Sequence, residues 1–295
     1  MKHLYHEYLK VGIEIVNKCG GVPLAIKGIA GVLHAGCGQL TLLQQLGLFV
    51  IEDSTKHARI SELEKLGKLS GELRIENIKY VKDPSDAEKA RLKEKDGIRK
   101  LSLDWYSVKD VQSSEMQDEL SINMEKPLHL LNCLEPPSKI EELRIGGYQG
   151  PQLPRWMMKK VDSYRLSDSD MQNPSSPSRF CHLTMLVMEN LPNLEHLLGL
   201  VGLPEIKTLE LRRMPKLLEL LTATTGFTNG DAEDEMQYCF PGLSTLVISG
   251  CPKLSVNPYF PPSLRSLTLE GSSEHMLSSG CFFHPLHVGH AHGDD

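Results

Sequence analysis

Four histidines crowd the C-terminal end of the chain, His284, His287, His290 and His292. Histidines this close together can hold zinc, but their spacing matches no structural zinc pattern and no cysteine pair accompanies them. The plainer reading is a disordered His-rich tail over residues 272–295 and no metal site. The seven cysteines, Cys19, Cys37, Cys133, Cys181, Cys239, Cys251 and Cys281, contain no CxxC pair. Cys251 falls where a repeat turn wants a small residue, so a structural role is expected for it. No nucleophile stands beside a recognisable base, and no paired carboxylates share an element suited to acid–base work. Glu141-Glu142 and Glu233-Asp234-Glu235 read as solvated charge, and Trp105 and Trp156, each following an apolar repeat, read as packing residues. No GxxxxGK[ST] phosphate loop occurs. These side chains predict no catalytic residue, no enzyme activity and no resident cofactor.

What the chain does carry is a repeat. The pattern Leu/Ile-x-x-Leu-x-Leu/Ile/Met begins at Ile98, Ile140, Leu183, Ile206, Leu243 and Leu264, each copy flanked by turn residues. A fixed internal repeat of this kind decides architecture, and this one has the core of a leucine-rich repeat. The expected fold is α/β: a leucine-rich-repeat solenoid with a parallel β-sheet on its concave face and a short helical N-terminal remnant. Successive copies are separated by 42, 43, 23, 37 and 21 residues. Steps of 23 and 21 fit one repeat of roughly 20–29 residues, and the longer steps must carry insertions or degenerate repeats. The insertions are read at 106–137, with a helix between Glu115 and Leu134, at 157–179, and at 222–239 as an exposed loop.

Composition agrees. The chain of 295 residues is 40% hydrophobic but only 6% aromatic, so aliphatic side chains must build the core. Its 32 basic and 38 acidic residues leave a net charge of -6, which argues against non-specific nucleic-acid binding. No apolar run reaches membrane-spanning length. The N-terminal residues lack a signal-peptide core, so a cytoplasmic protein with reduced thiols is expected.

Three segments follow. Residues 1–36 read as two short helices, with Leu9, Ile13 and Val16 on one face, Gly20-Gly21 as a cap and Pro23 opening the second. Residues 37–271 form the irregular repeat domain. Early copies are read at Leu43-x-x-Leu46-x-Leu48 and at Ser70-x-x-Leu73-x-Ile75. Asp83-Pro84-Ser85-Asp86 reads as a helix start, with Asp83 as the cap, and the helix runs from Ala87 to Lys95. Residues 272–295 form the tail.

Within each repeat, strand periodicity points alternate side chains to opposite faces. The outward position between the two inward residues is Arg74, Ser102, Arg144, Val187, Glu210, Val247 and Thr268 in successive copies. The next outward position is Glu76, Asp104, Gly146, Glu189, Arg212, Ser249 and Glu270. The polar members of these rows, Arg74, Glu76, Ser102, Asp104, Arg144, Glu189, Glu210, Arg212, Thr268 and Glu270, are the candidate partner-binding residues. Solenoids use such surfaces to bind proteins.

The stretch Lys18-Cys19-Gly20-Gly21-Val22-Pro23-Leu24-Ala25 resembles a "KCGGLPLA" segment of plant disease-resistance proteins of the nucleotide-binding, leucine-rich-repeat class. So do Gly71-Glu72-Leu73-Arg74-Ile75-Glu76-Asn77, Leu101-Ser102-Leu103-Asp104-Trp105 and Gly147-Tyr148-Gln149-Gly150 with Pro154-Arg155-Trp156-Met157. The resemblance implies that residues 1–36 are the end of a nucleotide-binding (NB-ARC) domain. It implies that Gly21, Pro23 and Leu24 are a vestigial part of an ADP/ATP site whose phosphate loop is absent. A truncated or internally deleted relative is expected. Its implied function is non-catalytic protein recognition in defence, of a pathogen effector or a guarded host protein. Two alternatives stand beside it: a regulatory partner of a full-length receptor that keeps the ADP/ATP-linked signalling role, or a non-functional degenerate product.

Overall fold

A computed structural model describes residues 41–52, 59–107, 125–157, 180–197, 200, 203, 205–225 and 236–271. The expected N-terminal helices, the His-rich tail and the insertion segments 115–124, 158–179 and 226–235 lie outside the described residues. The chain divides into two compact units, residues 1–120 with 133–137, and residues 121–132 with 138–295.

In the first unit, strands β1 (Leu48–Val50), β2 (Ser70–Glu76) and β3 (Gly97–Asp104) run parallel. Leu73 and Ile75 pair in register with Leu101 and Leu103, and all four are at most 1% exposed. Fully burying one such side chain contributes roughly 1.5–3 kcal/mol, which is why the apolar positions fix the register. Gly97 permits the close approach of β2, since a Cβ there would stand 2.5 Å from the Leu69 carbonyl oxygen. The first copy is registered one residue later than its leucines suggest. Phe49 lies opposite Ile75, and Phe49 and Ile51 are buried while Leu46 and Leu48 are only partly so. The match is Gln44-x-x-Gly47-x-Phe49, in which Leu48 lies opposite Arg74 and a phenylalanine takes the second apolar place.

The return path carries the helix start read from sequence. Helix α1 (Pro84–Lys89) is capped by Asp83, whose carboxylate accepts the Ser85 N–H at 2.9 Å, with proline in the first turn. The helix ends at Lys89 and does not reach Lys95. Arg91 turns left-handed at φ 49°, and a 3-10 turn takes over at Leu92–Glu94.

The second unit holds helix α2 (Glu125–Cys133) apart from its last residue, and the strands β4 (Glu142–Gly146), β5 (Met185–Glu189), β6 (Thr208–Arg212), β7 (Glu219–Leu221), β8 (Ala223–Thr225), β9 (Met236–Tyr238), β10 (Thr245–Ser249), β11 (Ser255–Asn257) and β12 (Ser266–Glu270). The order β4-β5-β6-β10-β12 is one parallel sheet. Its two apolar rows are Leu143, Leu186, Leu209, Leu246, Leu267 and Ile145, Met188, Leu211, Ile248, Leu269. From β4 to β10 every member is at most 1% exposed, whereas Leu267 and Leu269 are half-buried.

A second parallel ladder joins His196 to Glu219 and β7 to β11. Its steps of 23 and 36 residues follow those of 23 and 37 between β5, β6 and β10. Each turn of chain thus pairs twice with the next. The longer step accommodates an antiparallel pair, β8 with β9, so the ends of the segment 222–239 are strands where an exposed loop was expected. Thr222 anchors this insertion. It is fully buried, and its hydroxyl donates to the carbonyls of Asn257 at 2.9 Å and Tyr259 at 2.6 Å.

Both tryptophans pack as expected. Trp105 is 3% exposed, and the Trp156 indole N–H donates to the Leu131 carbonyl at 2.9 Å while its ring meets Phe180 edge-on. Cys251 is buried, and its thiol lies 3.6 Å from the carbonyls of Leu211 and Ser249.

Candidate interaction surface

The candidate residues occupy the outward side of the two sheets. In the first unit Arg74 lies opposite Ser102. The Arg74 Nε stands 2.9 Å from Asp104 Oδ2 and 3.3 Å from Glu76 Oε1. The Ser107 hydroxyl donates to Glu76 Oε2 at 3.1 Å. Glu76 and Asp104 are buried, with side chains 7% and 6% exposed against 29% for Arg74. Burying carboxylates is tolerable only with such partners. Arg74 therefore covers both acids, and a visiting molecule meets the guanidinium first.

In the second unit the two outward rows align as read from sequence. Arg144, Val187, Glu210, Val247 and Thr268 form one, and Gly146, Glu189, Arg212, Ser249 and Glu270 the other. Glu189 takes two arginines: the Arg144 guanidinium donates to Oε2, and Arg213 Nη2 donates to Oε1 at 2.5 Å. Arg212 Nε donates to Glu210 Oε2 at 3.0 Å, and the Ser249 hydroxyl to Glu270 Oε2 at 3.2 Å. The carboxylates again lie lower. Glu189 and Glu210 are 17% and 19% exposed, while Arg144, Arg212 and Arg213 are 35%, 36% and 52% exposed. Val187 is buried within its row, and Thr268 and Glu270 are exposed.

Immediately after β2, β4, β5, β6, β10 and β12 the chain turns left-handed. Asn77, Gly147, Asn190, Arg213, Gly250 and Gly271 all have φ between 54° and 72°. The N–H of each of Gly147, Asn190, Arg213 and Gly250 donates to the last strand residue of the next copy, at 2.7–2.9 Å. Glycine and asparagine adopt this conformation readily and a larger side chain does so at a cost, so Arg213 is the exception in the column.

Sequence reasoning missed Arg213, Ser107 and Lys95. Arg213 falls outside the period-two rows, and only the turn column reveals it. Lys95 reads from the sequence only as the last residue of a helix. It is 2% exposed, with its ammonium donating to the carbonyls of Leu63 at 2.7 Å and Leu66 at 3.1 Å. Burial lowers its pKa from the ordinary value, with the Glu94 charge opposing and Arg91 assisting. Among the described residues no group of three or more His, Cys, Asp or Glu side chains could hold a metal ion. Gly21, Pro23 and Leu24, and the four C-terminal histidines, lie outside the described residues.

Residues 60–214 match the family model described as R13L1/DRL21 LRRs. The chain belongs to this leucine-rich-repeat family. It is 32% identical over 126 residues to "Disease resistance protein RGA2" of Solanum bulbocastanum, which covers 42% of this chain and 12% of that protein. It is 31% identical over 100 residues to "Putative disease resistance RPP13-like protein 1" of Arabidopsis thaliana, covering 34% of this chain and 9% of that protein. The chain thus spans a small share of the length of the relatives it matches. An internalin of Listeria monocytogenes is similar at a TM-score of 0.27 and 15% identity, over 85% of this chain and 76% of that one. The leucine-rich-repeat fold read from the sequence, and its homology to plant disease-resistance proteins, both stand. No helix among the described residues is long and apolar enough to cross a membrane.

Proposed function

We propose that this leucine-rich-repeat protein is a non-catalytic recognition module acting in plant defence, inside the cell. It binds a pathogen-derived protein, or a host protein that such a factor modifies, through the outward face of its sheets. The observation that carries the reading is the arrangement of charge on the second unit's sheet. Five strands locked in register by buried leucines hold polar side chains in fixed rows, and a preorganised surface loses little freedom on binding. The sheet face alone is small. Five strands spaced about 4.8 Å apart and about 17 Å long offer roughly 330 Å², well below the ~800 Å² per partner of a stable interface. A partner must therefore also reach the left-handed turns along its edge, where Arg213 projects.

The test is proximity cross-linking in infected and uninfected leaf tissue, comparing the natural chain with an Arg144→Glu/Arg212→Glu variant of equal thermal stability. The expected result is a discrete cross-linked protein that the variant loses. Equal cross-linking by both would place recognition elsewhere. Calorimetric titration with ADP and ATP should give no heat, since no phosphate-binding loop is present in the sequence.

A further inference from the structure

We propose that two copies of this chain join through β12, strand against strand and antiparallel, about a two-fold axis at Thr268. The contact lies at the open end of the second unit's sheet and stands apart from recognition on the sheet face. β12 is the last strand of its sheet, and no described residue pairs with its outer side. Leu264, Leu267 and Leu269 are half-buried there, whereas their counterparts one copy earlier, Leu243, Leu246 and Ile248, are fully buried. The backbone is set for another strand as well. The Ser266 N–H donates to the Ser244 carbonyl, and the Glu270 carbonyl accepts from the Gly250 N–H, so alternate residues of β12 face β10. The N–H and C=O groups of Leu267 and Leu269 therefore face the other way. Gly271, at φ 57°, repeats the left-handed turn whose N–H reaches the next strand in every earlier copy of this unit.

The strand's own sequence favours a second copy as the occupant. Ser266-Leu267-Thr268-Leu269-Glu270 has a leucine on each side of its centre. Paired antiparallel about Thr268, Leu267 stands opposite the partner's Leu269, and Leu269 opposite the partner's Leu267. These are the hydrogen-bonded pairs, because their backbone groups face outward. The Gly271 N–H then meets the carbonyl of the partner's Arg265. A slip of one residue turns the leucines to the wrong face, and a slip of two leaves a single leucine pair. Charge agrees with this register. Each Glu270 faces the partner's Ser266, the pairing that Ser249 and Glu270 already make between β10 and β12 at 3.2 Å, and no like charges are opposed. Edge strands that stay single are guarded by lysine, proline or a bulge. β12 has none of these, and its register with β10 runs unbroken over all five residues. A two-fold contact closes on itself, so it yields a dimer and not a filament. The strand is about 17 Å long and the sheet layer ~10 Å deep, far below the ~800 Å² per partner of a stable interface, so the dimer is a weak and exchanging one.

Sedimentation equilibrium of the full chain, from about 1 µM to 1 mM, tests this. The weight-average mass is expected to rise with concentration from that of one chain toward that of two, and no further. Thr268 is exposed, so Thr268→Lys and Thr268→Glu should each keep the melting temperature of the dilute natural chain. Each places like charges on backbones about 4.5 Å apart across the axis. Either variant alone is expected to raise the dissociation constant at least tenfold, and an equimolar mixture of the two should restore association. Thr268→Cys reads the register. Under mild oxidation it should form a disulfide-linked dimer above the background that the natural cysteines give, whereas Ser266→Cys, opposite the partner's Glu270, should not. A chain that stays monomeric over the whole range leaves the edge to residues 272–295 or to another protein, and overturns the proposal. So do assemblies larger than a dimer, charge variants that associate as the natural chain does, a mixture that fails to restore association, or equal cross-linking by Ser266→Cys and Thr268→Cys.

Discussion

Lys95 offers a sharp test of how the first unit is held together. The Lys95→Met substitution keeps most of the stem's volume and removes the ammonium. Two charge-assisted hydrogen bonds are lost, to Leu63 and Leu66, each contributing about 1.5–3 kcal/mol. Both carbonyls keep one partner, the N–H groups of Leu66 and Leu69, so neither is orphaned. Against that loss, the folded chain no longer buries a charge, a penalty of several kcal/mol. The two effects nearly cancel, and Lys95→Met should destabilise by no more than about 2 kcal/mol. Lys95→Ala also loses the methylenes, about 0.8 kcal/mol each, and leaves a void, so it should be worse by a further ~2–3 kcal/mol. Urea denaturation of both variants measures this. The pH dependence is the stricter check. The folded pKa of Lys95 lies below its ordinary 10.5, so in that window the unfolded chain holds more protons than the folded one. Stability of the natural chain then gains as pH rises toward 10.5, relative to a chain lacking the group. The difference between natural protein and Lys95→Met should widen from neutral pH to 10.5. A constant or narrowing difference would mean that the ammonium is hydrated and that the account of its burial is wrong.

Three further outcomes follow from the second unit. Leu209→Ala, at the fully buried centre of the ladder, should cost about 3–5 kcal/mol in urea denaturation, whereas Leu267→Ala on the half-buried last strand should cost less than half of that. Gly250→Ala forces a side chain into φ 66°, with its Cβ 3.4 Å from the Arg213 Cα, and should lower stability by about 1–2 kcal/mol. Burial raises the pKa of Cys239 and Cys251 above 9.0 and that of Tyr148 above 10.0, so the folded chain holds these protons more tightly than the unfolded one. Their contribution is complete below those values and is lost as pH rises through the folded pKa. Tyr148→Phe, which gives up the 2.8 Å bond to the Gln152 carbonyl, should be less stable at neutral pH by about 1 kcal/mol yet decline less steeply above pH 10.0.

The repeat was legible because burial enforces it. A parallel ladder works only when every copy delivers two apolar residues at the same phase, so Leu101 and Leu103, or Leu209 and Leu211, announce their strands directly. Where the phase was misread, apolar residues of the same chemistry stood at both parities: Leu46 and Leu48 look as good as Phe49, and the pairing of Phe49 with Ile75 and of Leu48 with Arg74 decides between them. The Asp83 cap was legible for a similar reason, since it is local. The end of α1 was not, because nothing in the composition of residues 90–95 requires Arg91 to turn left-handed. Only the fold, by taking the Lys95 ammonium to the carbonyls of Leu63 and Leu66, shows what that turn achieves.

The outward rows divide along the same line. Parity alone places Arg74 and Glu76 in the first unit, and Arg144, Glu189, Glu210 and Arg212 in the second, on the outward side of their own strands, and the register within each unit agrees. Parity is silent about height. Glutamate is shorter than arginine, so when both occupy neighbouring positions the carboxylate settles against the sheet and the guanidinium folds over it. This happens independently in both units, with Arg74 over Glu76 and Asp104, and with Arg144 and Arg213 over Glu189. Neighbours of opposite sign in the sequence thus differ in exposure where they pair, while Glu270, at the end of its row, stays exposed. At each arginine–acid pair, side-chain length decides which partner is the more exposed.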